Sequence, residues 1–227
     1  MEKFGKGFIF VPARTVLLMA SRKNKEIRLE VPGGEKVVLL HTCCAPCSSA
    51  IIECMLKNGI RPVIYYCNPN IYPLEEYEIR KNECTRYADA LGLEIVDADY
   101  DHEQWLAETA GLENEPERGG RCLKCFKLRL LRTAQYAAKR GIKAITTTLA
   151  SSRWKSLDQI NEAGHWACET VRGMNPDDAP LWWDQNWRKG GLQERRLQIL
   201  KEYDFYNQLY CGCEFSMRKE DQSTGSE

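Results

Sequence analysis

Three thiols, Cys43, Cys44 and Cys47, fall within one run of five residues, and their flanks restrict the folds open to this chain. Before them stands the apolar run Val37-Val38-Leu39-Leu40, then His41 and Thr42; after them Ser48 to Lys57 has helical character. A short apolar run bounded by turn formers reads as a buried strand. The thiols therefore sit at the C-terminal end of a strand, with a helix N-terminus behind them. The positive end of a helix dipole favours thiolate over thiol, and thiolates bind metals or attack electrophiles. A lone buried cysteine is usually packing. Three crowded at a strand–helix junction point to chemistry.

The same alternation continues along the chain. Asn58-Gly59 closes the first helix and Pro62 to Cys67 reads as a second strand, followed by the turn Asn68-Pro69-Asn70. Pro73 opens a helix to Leu91 with Gly92 as its stop, and Leu93 to Ala98 is a third strand ending in Asp99-Tyr100-Asp101. His102 to Ala110 is a short helix. Cys122 to Arg140 carries an apolar stripe of Leu123, Phe126, Leu130, Ala134 and Ala137, and Ile142 to Leu149 is a fourth strand. Repeated strand–helix–strand units of this length predict an α/β fold with a parallel sheet. In such sheets ligands bind beyond the C-terminal strand ends, here at Cys43, Cys44, Asn68, Asn70, Asp99, Asp101 and Thr146 to Thr148.

From about Ser151 the chain reads as helical, with Trp182, Trp183 and Trp187 clustered and no further strand. The expected organisation is a partly disordered leader over 1–35, one α/β domain over 36–217 and a disordered polar tail over 218–227. Residues before Met19 read as a leader or an upstream start. Their apolar runs, split by Pro12 and Arg14, are too short for a signal core or a membrane span, which makes the cytoplasm the expected location.

Charge excludes a global attraction to polyanions, since Lys+Arg and Asp+Glu balance at 32 each. Eleven cysteines in 227 residues do not make a secreted disulfide scaffold: the chain is long, the number odd, and the spacings are of metal or redox type. A second motif, Gly119-Gly120-Arg121-Cys122-Leu123-Lys124-Cys125, places two thiols on one helix face. Converging with the first cluster, they would suit zinc or an iron–sulfur cluster, or a zinc knot that only holds the fold. Cys211-Gly212-Cys213 can close a strained, readily reduced ring and so act as a two-electron couple; metal ligation or packing is the plainer alternative. Cys54, Cys84 and Cys168 read as core, and Cys67 as packing. Arg118, Arg121, Lys124, Lys127, Arg129 and Arg132, with Arg188-Lys189 and Arg195-Arg196 beside the tryptophans, have the mix of cations and rings that suits RNA. Charge alone favours a solvated helix face. No phosphate loop and no Gly-rich dinucleotide fingerprint follows the first strand.

The order H-x-C-C-A-P-C, N-P-N-I-Y-P-x-x-E-Y-x-x-R, E-P-E-R-G-x-R-C-x-x-C-F-x-x-R-L, T-T-T-L and Y-C-G-C-E-x-S resembles the QueH family of epoxyqueuosine reductases from about Val37 to Ser216. The resemblance implies a nucleotide-hydrolase-like (HUP-like) fold and a cytoplasmic enzyme that reduces epoxyqueuosine in tRNA to queuosine. It implies a [4Fe-4S] cluster on Cys43, Cys44, Cys122 and Cys125, a redox-active disulfide pair at Cys211 and Cys213, and an external electron donor. Cys47, Asp99 and Asp101 are candidates for a second metal, such as an additional mononuclear iron, or for proton delivery. The chain departs from the family at Ser151-Ser152-Arg153-Trp154-Lys155, at Asp184 to Gly190 and at Tyr206-Asn207-Gln208, regions expected to touch RNA. Two rival readings are a zinc-stabilised RNA-binding module and a cluster-dependent tRNA thiolation enzyme. The second is disfavoured by the missing phosphate loop.

Overall fold

The computed structural model describes residues 27–217; the expected leader up to residue 26 and the tail 218–227 lie outside the described residues. In chain order the elements are β1 (Val37–Thr42), α1 (Ala45–Lys57), β2 (Arg61–Tyr66), α2 (Leu74–Leu91), β3 (Ile95–Asp97) and α3 (His102–Thr109). There follow α4 (Gly120–Lys139), β4 (Ala144–Thr147), α5 (Leu157–Met174), β5 (Leu181–Trp182) and α6 (Leu192–Glu202), with short 3-10 turns at Thr148–Ser151 and Glu214–Ser216.

All five strands are parallel, in the order β3-β2-β1-β4-β5, as the strand–helix alternation predicts. β1 is central: Leu40 lies opposite Ile64 of β2 and Thr146 of β4. A strand covered on both faces needs apolar side chains at every position rather than at alternate ones. Accordingly Val38, Leu39 and Leu40 are all fully buried, and only Val37 of β1 is exposed.

The helix ends follow local chemistry. Pro46 occupies the first turn of α1, where its missing N–H costs nothing, and Gly92 ends α2 in the left-handed region at φ 62°. Asp101 caps α3 by accepting from Gln104 N at 3.0 Å, and Ser156 caps α5 by accepting from Gln159 N at 3.3 Å. The helix expected to start at Ser48 begins three residues earlier, with Cys44 as its N-cap residue.

One strand was not legible. β5 is two residues long, follows Pro180 and pairs with Ala144 and Ile145, so it offers no periodicity to read. Its presence changes the role of the tryptophans. Trp182, Trp183 and Trp187 are buried core residues, with Trp183 and Trp187 edge-to-face at 5.3 Å. A Cβ at Gly164 would stand 2.2 Å from the Trp182 ring, so α5 reaches the sheet edge only with glycine there. These rings wall the core rather than face a nucleic acid.

Candidate metal and redox site

The ends of β1, β2 and β4 open into a cavity of about 670 Å³ lined by six of the eleven cysteines: Cys43, Cys47, Cys122, Cys125, Cys211 and Cys213. This is the edge where an open parallel sheet places ligands. The three sulfurs of Cys43, Cys44 and Cys47 lie within 4.8 Å of one another, close enough to hold a metal ion. Cys122 and Cys125 line the same cavity outside that close trio.

The trio titrates as a unit. Hydrogen bonds from Cys44 and Cys47 hold Cys43 well below the usual thiol range against its burial, with Lys155 and Thr148 assisting. The same pairing pushes Cys44 far up and Cys47 up to about 12. Thr148 receives the Cys43 backbone N–H at 3.1 Å, and its hydroxyl lies 3.4 Å from the Cys43 sulfur.

Behind the sulfurs stands a polar layer. His41, fully buried, has Nε2 at 3.1 Å from the Cys67 carbonyl and Nδ1 at 2.7 Å from the Thr147 hydroxyl. A carbonyl can only accept, so Nε2 carries the proton and Nδ1 accepts from Thr147. Burial, and then the Arg129 charge, lower the His41 pKa to about 3, so the ring is neutral. Arg129 is itself 2% exposed and makes no ion pair among the described residues. It donates to the Cys67 carbonyl at 3.2 Å and to Asn68 Oδ1, and reaches the Cys125 sulfur at 3.8 Å. A buried guanidinium is costly without an anion, and the sulfurs beside it are the available counter-charge.

The C-G-C segment enters from the C-terminal side. Cys211 is exposed, and Lys155 Nζ stands 3.4 Å from its sulfur. Burial would weaken the Lys155 charge, but the sulfurs of Cys211, Cys43 and Cys47 more than offset that and raise its pKa. Cys213 is buried against Trp105 and Cys125, and burial, then Cys125, push it up to about 12. The two sulfurs therefore differ in access, Cys211 open to solvent and Cys213 enclosed. Gly212 is at φ 111°, and a Cβ there would lie 2.9 Å from Ile71 and 3.0 Å from Arg80. Tyr72 N donates to the Gly212 carbonyl at 2.8 Å, and Arg80, paired with Glu76, donates to the carbonyls of Tyr210 and Cys211. His102 fastens the following turn, with Nδ1 at 2.7 Å from the Pro69 carbonyl and Nε2 at 3.1 Å from Glu214.

The remaining candidates lie elsewhere. Asp101 caps α3 and pairs with Arg132 at 3.1 Å, while the Asp99 carbonyl also faces Arg132; neither aspartate lines the cavity. The expected basic stretch is divided. Arg121 is buried and donates to the carbonyls of Leu112, Glu113 and Glu115, so it ties a loop rather than a ligand. Lys127 pairs with Glu162, and Arg195 with Glu53 and Glu202. Seven cations (Arg80, Arg118, Arg121, Arg129, Arg153, Lys155, Arg196) line the cavity with one carboxylate, Glu117, although Arg80 is paired with Glu76 outside the lining and Arg121 is spent on its loop. Sequence reasoning assigned no role in the site to His41 or Trp105, and placed Lys155 only in a segment expected to touch RNA. His41 stood in view beside the thiols, and Lys155 lies just beyond the Thr run.

The donor set suits a polynuclear centre. Thiolates are the ligands of iron–sulfur clusters, and such a cluster spreads its ligands more widely than a single ion. Two residues of the cavity lining carry buried oxygens without partners, Asn70 Oδ1 and Gln208 Oε1, and Gln208 Nε2 lies 3.0 Å from the Cys44 sulfur.

Comparison with known proteins gives one answer. A protein-family model described as "Epoxyqueuosine reductase QueH" matches residues 38–219. A relative of that name from Histophilus somni is 47% identical over 191 residues, covering 84% of this chain and 76% of its own length. Another from Acinetobacter baylyi is 43% identical over 192 residues, covering 85% of each chain. A more distant one from Thermotoga maritima is 34% identical over 183 residues, covering 79% of this chain and 90% of its own.

Proposed function

The chain belongs to the epoxyqueuosine reductase QueH family, and from that premise we propose that it reduces the epoxide of epoxyqueuosine in tRNA to give queuosine. The observation that carries the reading is the single cavity in which six cysteines and seven cations meet at the strand ends. Opening an epoxide to an alkene takes up two electrons and two protons and releases water. Oxidation of the Cys211–Cys213 dithiol to a disulfide yields two electrons and two protons, so one turnover balances one closure of the ring. An external donor then reopens it.

Cys43, Cys44, Cys122 and Cys125 would hold a [4Fe-4S] cluster, with Cys47 at hand for an additional iron. Bound there, such a centre supplies an electron relay and a Lewis acid for the epoxide oxygen. The protein's own groups do the rest. Lys155 Nζ holds a proton 3.4 Å from the Cys211 sulfur, where it can be delivered. Arg129 and His41 fix the wall behind the sulfurs, with His41 unable to take a proton near neutral pH. Among the described residues no helix is long and apolar enough to cross a membrane.

A zinc-stabilised RNA-binding module would make no use of Cys211 beside Lys155, and a thiolation enzyme would be expected to hold ATP, for which no phosphate loop follows β1. The test is a strain lacking its own epoxyqueuosine reductase, with tRNA nucleosides read by mass spectrometry with and without this protein. Queuosine should replace epoxyqueuosine. Persistent epoxyqueuosine with a fully iron-loaded protein defeats the assignment, and sulfur gained by the tRNA favours thiolation.

A further inference from the structure

Trp154 is 77% exposed, second only to Leu209 among the large apolar side chains of the described residues, and both line the cavity described above. An indole left in water at a cavity mouth is uncommon for a residue that usually packs, and a contiguous apolar rim marks an interaction site. Its backbone is not loose. Arg118 donates from Nε to the Trp154 carbonyl and from Nη2 to the Arg153 carbonyl, each at 3.0 Å. Arg118 is in turn held by Gln159, which donates to its carbonyl at 2.8 Å, and Trp154 N donates to Ser152 Oγ at 3.3 Å. The ring is thus presented outward on a braced loop.

The surroundings are cationic. Arg118, Arg153, Lys155, Arg188 and Arg196 form no ion pair among the described residues. Burial and then the Arg118 charge lower the pKa of Arg188, the sign of a local positive field. A flat, exposed aromatic face beside uncompensated guanidinium groups fits a single-stranded nucleic acid, whose bases stack while its phosphates meet cations. A protein surface would more often ask for paired charges around the ring.

We propose that Trp154 is a stacking platform for an unpaired base of the RNA substrate, next to the nucleoside that enters the cavity, with Arg153 and Arg196 meeting the flanking phosphates. This rests on the reductase reading and adds the residue that orders the neighbouring base. Extruding one base from a loop unstacks its neighbour, and an indole at the cavity mouth restores a stacking partner.

The test uses full-length protein purified without oxygen, a labelled anticodon stem–loop and fluorescence anisotropy. Trp154→Ala should bind about tenfold more weakly, while Trp154→Phe, which keeps a ring, should stay within about threefold of wild type. RNA should also quench the part of the indole emission that Trp154→Phe removes. If the wild type reduces epoxyqueuosine but Trp154→Ala binds RNA equally well, the platform is overturned and the reductase reading stands. If the wild type neither binds the stem–loop nor alters its nucleoside, both are overturned. Full RNA affinity in Trp154→Ala, with turnover slowed only when a protein reductant replaces dithionite, would assign the ring to a donor protein and overturn the proposal.

Discussion

The two thiol-bearing regions of the cavity are built in opposite ways. Cys43, Cys44 and Cys47 stand where β1 passes into α1, fixed by a central strand paired on both sides and by a helix start. Cys211 and Cys213 stand in a segment without helix or strand between α6 and the turn at Glu214–Ser216. That segment is held by side chains reaching from elsewhere: Arg80 from α2, His102 from α3 and the Tyr72 backbone. The first region is as rigid as the core and suits a resident ligand set. The second can be displaced without unfolding the sheet and suits a group that must meet an external donor.

The contrast can be broken most forcefully at the rigid region. Cys125→Ala or Cys44→Ala should reduce iron content and visible absorption of anaerobically purified protein to background and lower turnover by about 100-fold or more. Full colour in both variants would remove these sulfurs from the ligand set. Next in size, Gly212→Ala forces a side chain into a left-handed position already crowded by Ile71 and Arg80, a local cost of about 1–3 kcal/mol. Turnover should fall about tenfold with iron content unchanged; bleaching would show that the two regions are not separable. A smaller effect is expected from His102→Leu, which leaves the Pro69 carbonyl and Glu214 without this partner at about 1–3 kcal/mol for the buried part. Turnover should drop a few-fold and recover when a strong chemical reductant replaces the physiological donor; no change would make the clamp idle. Smallest of all, Lys124→Ala, exposed on α4 and outside the cavity wall, should shift RNA affinity by less than about twofold. A tenfold loss would extend the cationic surface along that helix.

The rigid region was also the legible one. Strand, turn and helix signals around Cys43 are local, so periodicity and punctuation located β1 to β4 and the helices between them. What failed to show was set by contacts distant in sequence. Arg129 carries the same charge as its neighbours, and only Cys67 and Asn68, 62 and 61 residues away, decide that it is buried. The tryptophans resembled an RNA surface because β5, which turns them inward, is too short to leave a pattern. Asp99 and Asp101 follow a strand end, as ligand residues should. β3 is an edge strand, however, and its end leads to the α3 cap and Arg132 rather than to the cavity. Equal totals of acid and base concealed a cavity wall with seven cations and one carboxylate.

The central place of β1 also sets a schedule. Its ring of His41 bonds to Thr147, 106 residues further along, and Cys43 to Thr148. A growing chain therefore brings out its first thiols long before the strand that walls them in exists, and contacts of such separation form late. Until β4 docks, Cys43, Cys44 and Cys47 are open to oxidants and to any passing soft metal. The C-G-C segment follows later still, so the inner sulfurs are made before that segment can reach them. Chains made in air should therefore lose free thiols at these three positions in proportion to how slowly β4 arrives, a fault of timing that no change to the finished site would repair.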